Sequence, residues 1–358
     1  MFTPDDFLNM ALGEFYQKMH QYEPNNYDPA VDMIKEGDKG GEFVFDVSLH
    51  SRYLKFFLAN YVRLYQVYIL LGDETSKRIF LDLILYRLLG HVHIRLHTNT
   101  EYHWQTRKQA QQLSAEPSVL GIQRDWLGPM RHYKVYYKNQ DIFVDGWWDS
   151  IAWTFSFEQY HYRRDGVLIC PKEGDYVIDG GAFIGDTTLG FAASVGPHGI
   201  VYSFEVLDKH CEIFQHNIHQ NPSMTDRIIL FKYGLGEITT QDLTESEYHA
   251  DKLMPGFSLL GMKDSDIPIA SIDDLVQRQI IDRVDFIKLD IEGYEFQALK
   301  GAEKSIRRFK PMLAISLYHK PVDMFEIPLY IASINPNYKL YLEHYSIHTW
   351  ETVLYASE

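Results

Sequence analysis

Three side chains toward the end of this sequence have the types that move protons. Asp290 and Glu292 stand together in VDFIKLDIEG, and His319 is next to last in the run PMLAISLYHK. An imidazole titrates near neutrality, so His319 is the best candidate for a general base acting on a hydroxyl. Asp290 can orient that imidazole or grip a ligand. Asp290, Glu292 and His319 also form an oxygen-rich set suited to a divalent cation such as Mg2+ or Mn2+, although their spacing matches no dedicated ligand motif. Glu292 can instead cap the helix that follows it. A second set lies upstream in YVIDGGAFIGD: Asp179, Gly180, Gly181, Ala182, Phe183, Gly185 and Asp186. Its glycines let backbone approach a ligand closely, since no Cβ intervenes. Glu205 ends GIVYSFE, where a carboxylate can hold a ribose diol. Gly234 in KYGLG offers bare backbone for an adenine to lie against.

The elements that must position these residues follow from pattern. Tyr176-Val177-Ile178 has the length and β-branched content of a buried strand, and DTTLGFAASVG reads as a helix ending at Gly196-Pro197. Strand, glycine-rich turn and helix form the nucleotide-binding opening of a doubly wound α/β domain, with the helix N-terminus offering free N–H groups. GIVYSFE, IILFKYGLG, VDFIKLDIEG and PMLAISLYHK read as further strands, alternating with helices in LDKHCEIFQHNIHQN and from Tyr294 to about Arg308. Such alternation predicts a parallel sheet. YKLYLEHY and ETVLYA are expected to close it as an antiparallel hairpin. Ligands sit at the carboxyl ends of such strands, so Asp290, Glu292 and His319 are expected to converge near the glycine turn.

The region before this sheet reads as mainly helical, with Thr3 and Asp73 as helix N-caps and Gly90 as a stop. A glycine-rich charged break at GDKGGE interrupts it, and Val135–Tyr137 and Ile142–Val144 form a β-hairpin near its end. Pro171 and Gly174 mark the entry to the second domain, so the expected division is an accessory region at 1–165 and a catalytic domain at 166–358. Residues 237–268 read as an irregular insertion. Trp147, Trp148, Trp153 and Phe155 either wall a substrate pocket or pack the domains together. His91, His93, His97 and His103 lack any pattern of metal ligands.

The turn does not match G-x-G-x-x-G, because Ala182 stands in the middle glycine's place; no Walker loop follows either. Its D-x-G-x-x-x-G pattern, Asp179 to Gly185, resembles motif I of class I S-adenosylmethionine-dependent methyltransferases. The segments VIDGGAFIGDTTL, VYSFE, DFIKLDIEGYEFQALKGA and LAISLYHKPVDMFEIPLYI together are similar to the FkbM methyltransferase family, from about Gly174 to the C-terminus. The resemblance implies a Rossmann-like class I methyltransferase fold and S-adenosylmethionine as donor. It also implies O-methylation of a hydroxyl on a sugar, glycan or natural product. On it, Asp179, Gly181 and Gly185 form the donor loop, Glu205 the ribose carboxylate, and Asp290, Glu292 and His319 the reaction face. Two readings share the topology: a nicotinamide-dependent protein acting on a small metabolite, against which Ala182 stands, and a non-catalytic binding module.

Composition narrows the partners. The 358 residues carry 34 basic and 49 acidic side chains, net −15, which disfavours a nucleic-acid backbone as main partner. Cys170 and Cys211 are the only cysteines, too few for a disulfide framework and in keeping with a reducing cytoplasm. No secretory signal or membrane span is evident. The expected partner is a small-molecule or glycan acceptor. The N-terminal region is expected to cover the acceptor pocket or to make homodimer contacts.

Overall fold

The computed structural model of the protein describes residues 2–21, 23, 47–113, 115–124, 127–240 and 267–358. The expected break at GDKGGE and most of the expected insertion at 237–268 lie outside these residues. The chain divides into two compact units. One takes Met1–Trp104 with Lys339–Thr352, and the other takes Gln105–Tyr338 with Val353–Glu358. The division thus falls within the helix Glu101–Gln112, not at 165/166.

The first unit is built on helices Pro4–Lys18, Val47–Leu70 and Glu74–Leu89. Thr3 caps the first reciprocally: its N–H donates to the Asp6 carboxylate at 2.8 Å, and its hydroxyl accepts from the Asp6 N–H at 3.2 Å. Asp73 starts the third by accepting from the Ser76 N–H at 2.6 Å, and Gly90 ends it at φ 77°. This helix is buried along most of its length, including Ile79, Phe80, Leu83 and Leu85, so it forms the unit's core. The late strand Lys339–His344 joins the unit because the Gly72 N–H donates to the Leu340 carbonyl at 2.7 Å and the Leu342 N–H donates to the Ser76 hydroxyl at 2.9 Å.

The second unit is built on six strands. They are β1 (Tyr176–Gly180), β2 (Ile200–Phe204), β3 (Ile228–Phe231), β4 (Phe286–Leu289), β5 (Met312–Ser316) and β6 (Thr352–Ser357). Their spatial order is β3-β2-β1-β4-β5-β6. Every pair is parallel except β5 with β6. Val177, Ile178, Val201, Phe286, Ile287 and Leu313 are all fully buried, as strands covered on both faces require. The chain goes from β1 to β2 on one side and places β4 on the other, so the crevice at their carboxyl ends is the topological switch point.

Helices α1 (Asp186–Val195), α2 (Asp208–His219), α3 (Ile272–Gln277), α4 (Glu295–Lys300), α5 (Glu303–Phe309) and α6 (Asp323–Ile334) connect the strands. The single helix expected from Tyr294 to Arg308 is two, α4 and α5. Gly301 breaks it: its carbonyl accepts from the Asp273 N–H at 2.7 Å and the Ser271 hydroxyl at 2.8 Å. Any Cβ on Gly301 would also overlap the Gly236 carbonyl.

The hairpin Arg131–Tyr137 with Gln140–Gly146 forms as expected, with a tighter turn. Lys138 and Asn139 have φ of 47° and 61°, the two left-handed residues of a type I′ turn. Two asparagines of α2 tie this hairpin into the second unit. The Asn217 side chain takes the Asp145 N–H at 2.7 Å and donates to the Asp145 and Ile184 carbonyls at 3.0 and 2.9 Å. Asn221 takes the Phe143 N–H at 2.9 Å and donates to the Phe143 carbonyl at 2.7 Å. These ties explain why the domain division precedes the hairpin. Among the described residues, no helix is long and apolar enough to cross a membrane.

Candidate active site

The turn after β1 is held from three sides. Gly181 has φ 77°, and a Cβ there would overlap the Asp290 backbone carbonyl, so only glycine fits. The Gly181 and Ala182 N–H groups both donate to the Phe204 carbonyl, at 2.9 and 3.0 Å. Phe183 adopts φ 50° and donates its N–H to Glu205 Oε2 at 3.0 Å. Glu205 Oε1 accepts from the Val206 and Leu207 N–H groups at 2.8 and 2.9 Å. Gly185 caps α1 at φ 83°, and a Cβ there would come to 2.9 Å from the Phe214 ring. Gly180 ends β1 under Leu289 and Leu235. The structure therefore brings Gly181, Ala182, Phe183 and Glu205 together around one bend.

Asp179 and Asp186 lie beneath that bend. Asp179 is fully buried; its Oδ2 accepts from the Thr187 and Thr188 hydroxyls at 3.0 and 2.6 Å, and its Oδ1 lies 2.9 Å from the Lys288 ammonium. Lys288 also donates to the Gly180 and Gly181 carbonyls at 2.9 and 2.6 Å. Burial disfavours its charge, but Asp179 and Asp290 outweigh burial and raise the ammonium pKa above its ordinary value. Asp186 accepts from the Thr154 hydroxyl at 2.8 Å, and burial pushes its carboxyl up to about 6. Gly234 donates its N–H to the Pro268 carbonyl at 2.8 Å, and a Cβ there would lie 3.5 Å from Val206, just past Glu205.

The other half of the crevice is built by β4 and β5. Asp290 accepts from the Tyr160 and Tyr318 hydroxyls, each at 2.8 Å. His319 Nε2 lies 3.5 Å from Asp290 Oδ1 and 3.7 Å from Glu292 Oε2; its Nδ1 lies 2.9 Å from Glu295 Oε1. Neither ring nitrogen is aligned for a hydrogen bond within the protein. Burial lowers the imidazole's proton affinity, but the Glu295, Asp290 and Glu292 carboxylates reverse this and raise its pKa to about 9. The expectation of a histidine titrating near neutrality is thus corrected: at pH 7 His319 is an imidazolium.

Residues 179–344 match the family model described as the methyltransferase FkbM domain. This chain carries an FkbM methyltransferase domain. The crystal structure of the FkbM methyltransferase from Methylobacillus flagellatus KT is 22% identical, covers 84% of this chain and 60% of that one, and superposes with a TM-score of 0.54. It shows a shared fold, and this chain spans less than two thirds of that relative's length. More distant are the Aeropyrum pernix fibrillarin with natively bound S-adenosyl-L-methionine (11% identity, 68% and 98% coverage, TM-score 0.34) and the Bacillus cereus O-methyltransferase in complex with SAH (12%, 51% and 74%, 0.31). No curated protein matches this sequence. The sheet order, with β6 antiparallel to β5 just beyond the matched residues, is that of a class I methyltransferase fold.

Four residues of the crevice escaped the sequence reading: Lys288, Glu295, Tyr160 and Tyr318. Lys288 had a signal, since a lysine inside a strand buried on both faces must find anionic partners. Glu295 had none, because it reads as an ordinary first-turn acid of α4. Glu292, which the sequence reading grouped with Asp290 and His319, has a side chain that is 89% exposed. Among the described residues, the three whose ligand atoms all lie within 4.8 Å of one another are Asp290, Glu295 and His319. The aromatic cluster divides: Trp147 packs with Leu127, Met130, Ile184 and Ile213, Phe155 stacks edge-on to Tyr137, and Trp153 packs on Phe157.

Proposed function

We propose that this protein is an S-adenosylmethionine-dependent O-methyltransferase whose acceptor is a hydroxyl of a sugar, glycan or natural product. One observation carries the reading: in a domain matching FkbM methyltransferases, the Gly181 bend presses on the Asp290 backbone while the Asp290 side chain faces His319. The donor loop and a proton-accepting cluster thus share one crevice. The residues suit the donor chemically. Glu205 uses three backbone N–H groups, leaving Oε2 able to accept from a ribose hydroxyl. The carboxylates of Asp290, Glu292 and Glu295 favour a sulfonium cation nearby. Bound S-adenosylmethionine supplies an electrophilic methyl group; its transfer forms a C–O bond as the C–S bond breaks.

The chain's own task is to align the hydroxyl, exclude water and take its proton. In this reading Asp290, fixed by Tyr160 and Tyr318, accepts a hydrogen bond from the acceptor hydroxyl. His319, once deprotonated, takes the proton, and Glu295 holds the resulting imidazolium. A divalent cation is not needed for these steps. A cation held by Asp290, Glu295 and His319 would first have to displace the imidazole proton. Calorimetry with SAH tests the donor, and transfer of labelled methyl to a panel of sugars and glycans tests the acceptor. Absence of SAH binding at high micromolar concentration would sink the reading.

A further inference from the structure

We propose that Arg124 anchors an oxyanion, a carboxylate or phosphate, of a reactant held against the glycine turn. Arg124 lies in a two-residue strand, Gln123–Arg124, paired with Gly128–Pro129. Its guanidinium sits 4.4 Å from the Trp147 ring centroid and 4.9 Å from that of Phe183. The two rings are stacked at 6.4 Å and 30°. Both are fixed. Trp147 donates its indole N–H to the Gly128 carbonyl at 3.1 Å, and Phe183 is the turn residue whose N–H meets Glu205. The edge of His210 backs the Phe183 ring at 4.5 Å. The cation is therefore placed on the turn itself.

Its planar fork carries five N–H donors suited to bidentate oxyanion recognition. Among the described residues, no carboxylate or carbonyl accepts from them. Asp149 and Asp186 act on the charge only at longer range, and burial weakens the guanidinium's hold on its proton. Arg78 shows the contrast: its fork is filled by Asp82 and by both oxygens of Glu14, at 2.7 and 2.9 Å. A half-buried arginine stacked on aromatics, with no acceptor, is costly unless a ligand completes it.

The inference rests on the methyltransferase reading for which reactants enter the crevice. Two sources share this chemistry: the amino-acid carboxylate of the donor, and an anionic acceptor such as a uronic or phosphorylated sugar. Calorimetry on full-length wild type, Arg124→Met and Arg124→Lys separates them, using SAH, 5′-methylthioadenosine (the same nucleoside without the amino-acid half), glucuronate, glucose 1-phosphate and glucose. The sugars are titrated with and without SAH. If the fork holds the donor, Arg124→Met weakens SAH about 10- to 100-fold and leaves 5′-methylthioadenosine unchanged. If it holds the acceptor, SAH is unchanged, while the wild type's preference for glucuronate or glucose 1-phosphate over glucose disappears. Arg124→Lys keeps a cation over the rings but not the fork, so it restores little of the affinity, and its melting temperature checks the fold. Equal affinities in wild type and Arg124→Met overturn the inference, as does a wild type indifferent to every oxyanion. A wild type that binds neither nucleoside defeats the methyltransferase reading instead, and the sugar anions then judge Arg124 alone.

Discussion

Two cations feel the charge of Asp290, Lys288 two residues before it and His319 3.5 Å away in space, and they are treated oppositely. Lys288 donates to two backbone carbonyls at 2.6 and 2.9 Å, has the Asp179 carboxylate 2.9 Å away as counter-charge, and is sealed from water. His319 has three carboxylates around it at 2.9 to 3.7 Å, none aligned with a ring nitrogen. An ion bonded to two backbone carbonyls and closed off from water serves to lock backbone. An ion held by charge without aligned hydrogen bonds keeps its directional capacity for a reactant. The same strand-end geometry thus separates a structural pin from the group proposed to react.

The largest effect should come from the pin. Lys288→Met leaves Asp179 buried without its counter-charge and frees the Gly180 and Gly181 carbonyls, so unfolding in urea should show a loss of about 3 to 5 kcal/mol. Adding Asp179→Asn should recover part of that loss. A single variant as stable as wild type would break the comparison. Next comes the cation proposed to react: His319→Asn should lower methyl transfer about 100-fold or more and leave SAH affinity near wild type, while costing less stability than Lys288→Met although Glu295 loses a counter-charge. Stability falling as far as in Lys288→Met would mean that His319 is a second pin.

The pH profile sharpens the distinction. His319 is raised to about 9, so below that pH most of it carries a proton and cannot accept another. Turnover should climb about tenfold per pH unit from neutrality and level off near 9. Glu295→Gln still accepts from the Ile291 and Gly293 N–H groups but removes the charge that most favours the imidazolium, so the plateau should move to lower pH. A profile that falls between pH 7 and 9 would assign His319 a positioning role as the cation. Treatment with EDTA should leave the rate unchanged; loss restored by Mg2+ or Mn2+ would replace the proton site by a metal site.

Much of this was legible in the sequence. The β1–turn–α1 unit follows from an apolar run, a glycine with no alternative at position 181 and a polar helix start. Asp290 and His319 meet because both follow buried strands that end at the same edge. What the sequence did not show was the path of the chain past a strand end. Asp290 and Glu292 share a face only while the chain stays extended, but β4 stops at Leu289 and Glu292 turns to φ 56°. That turn sends Glu292 outward and lets Glu295 reach His319 from the start of α4. Gly301 escaped for a related reason: the carbonyl of Gly236 that excludes a Cβ comes from a distant segment, invisible to local periodicity.

Glu292 therefore supplies the smallest and most discriminating test. Its carboxylate lies 3.7 Å from His319 Nε2 yet is 89% exposed, so water screens the pair. Glu292→Gln should change turnover by less than about threefold and move the pH plateau slightly downward, whereas Glu295→Gln, buried at 2.9 Å, should move it much further. Equal shifts from the two variants would show that exposure does not discount the charge of Glu292. The acceptor would then bury both carboxylates when it binds, making Glu292 part of the closed crevice.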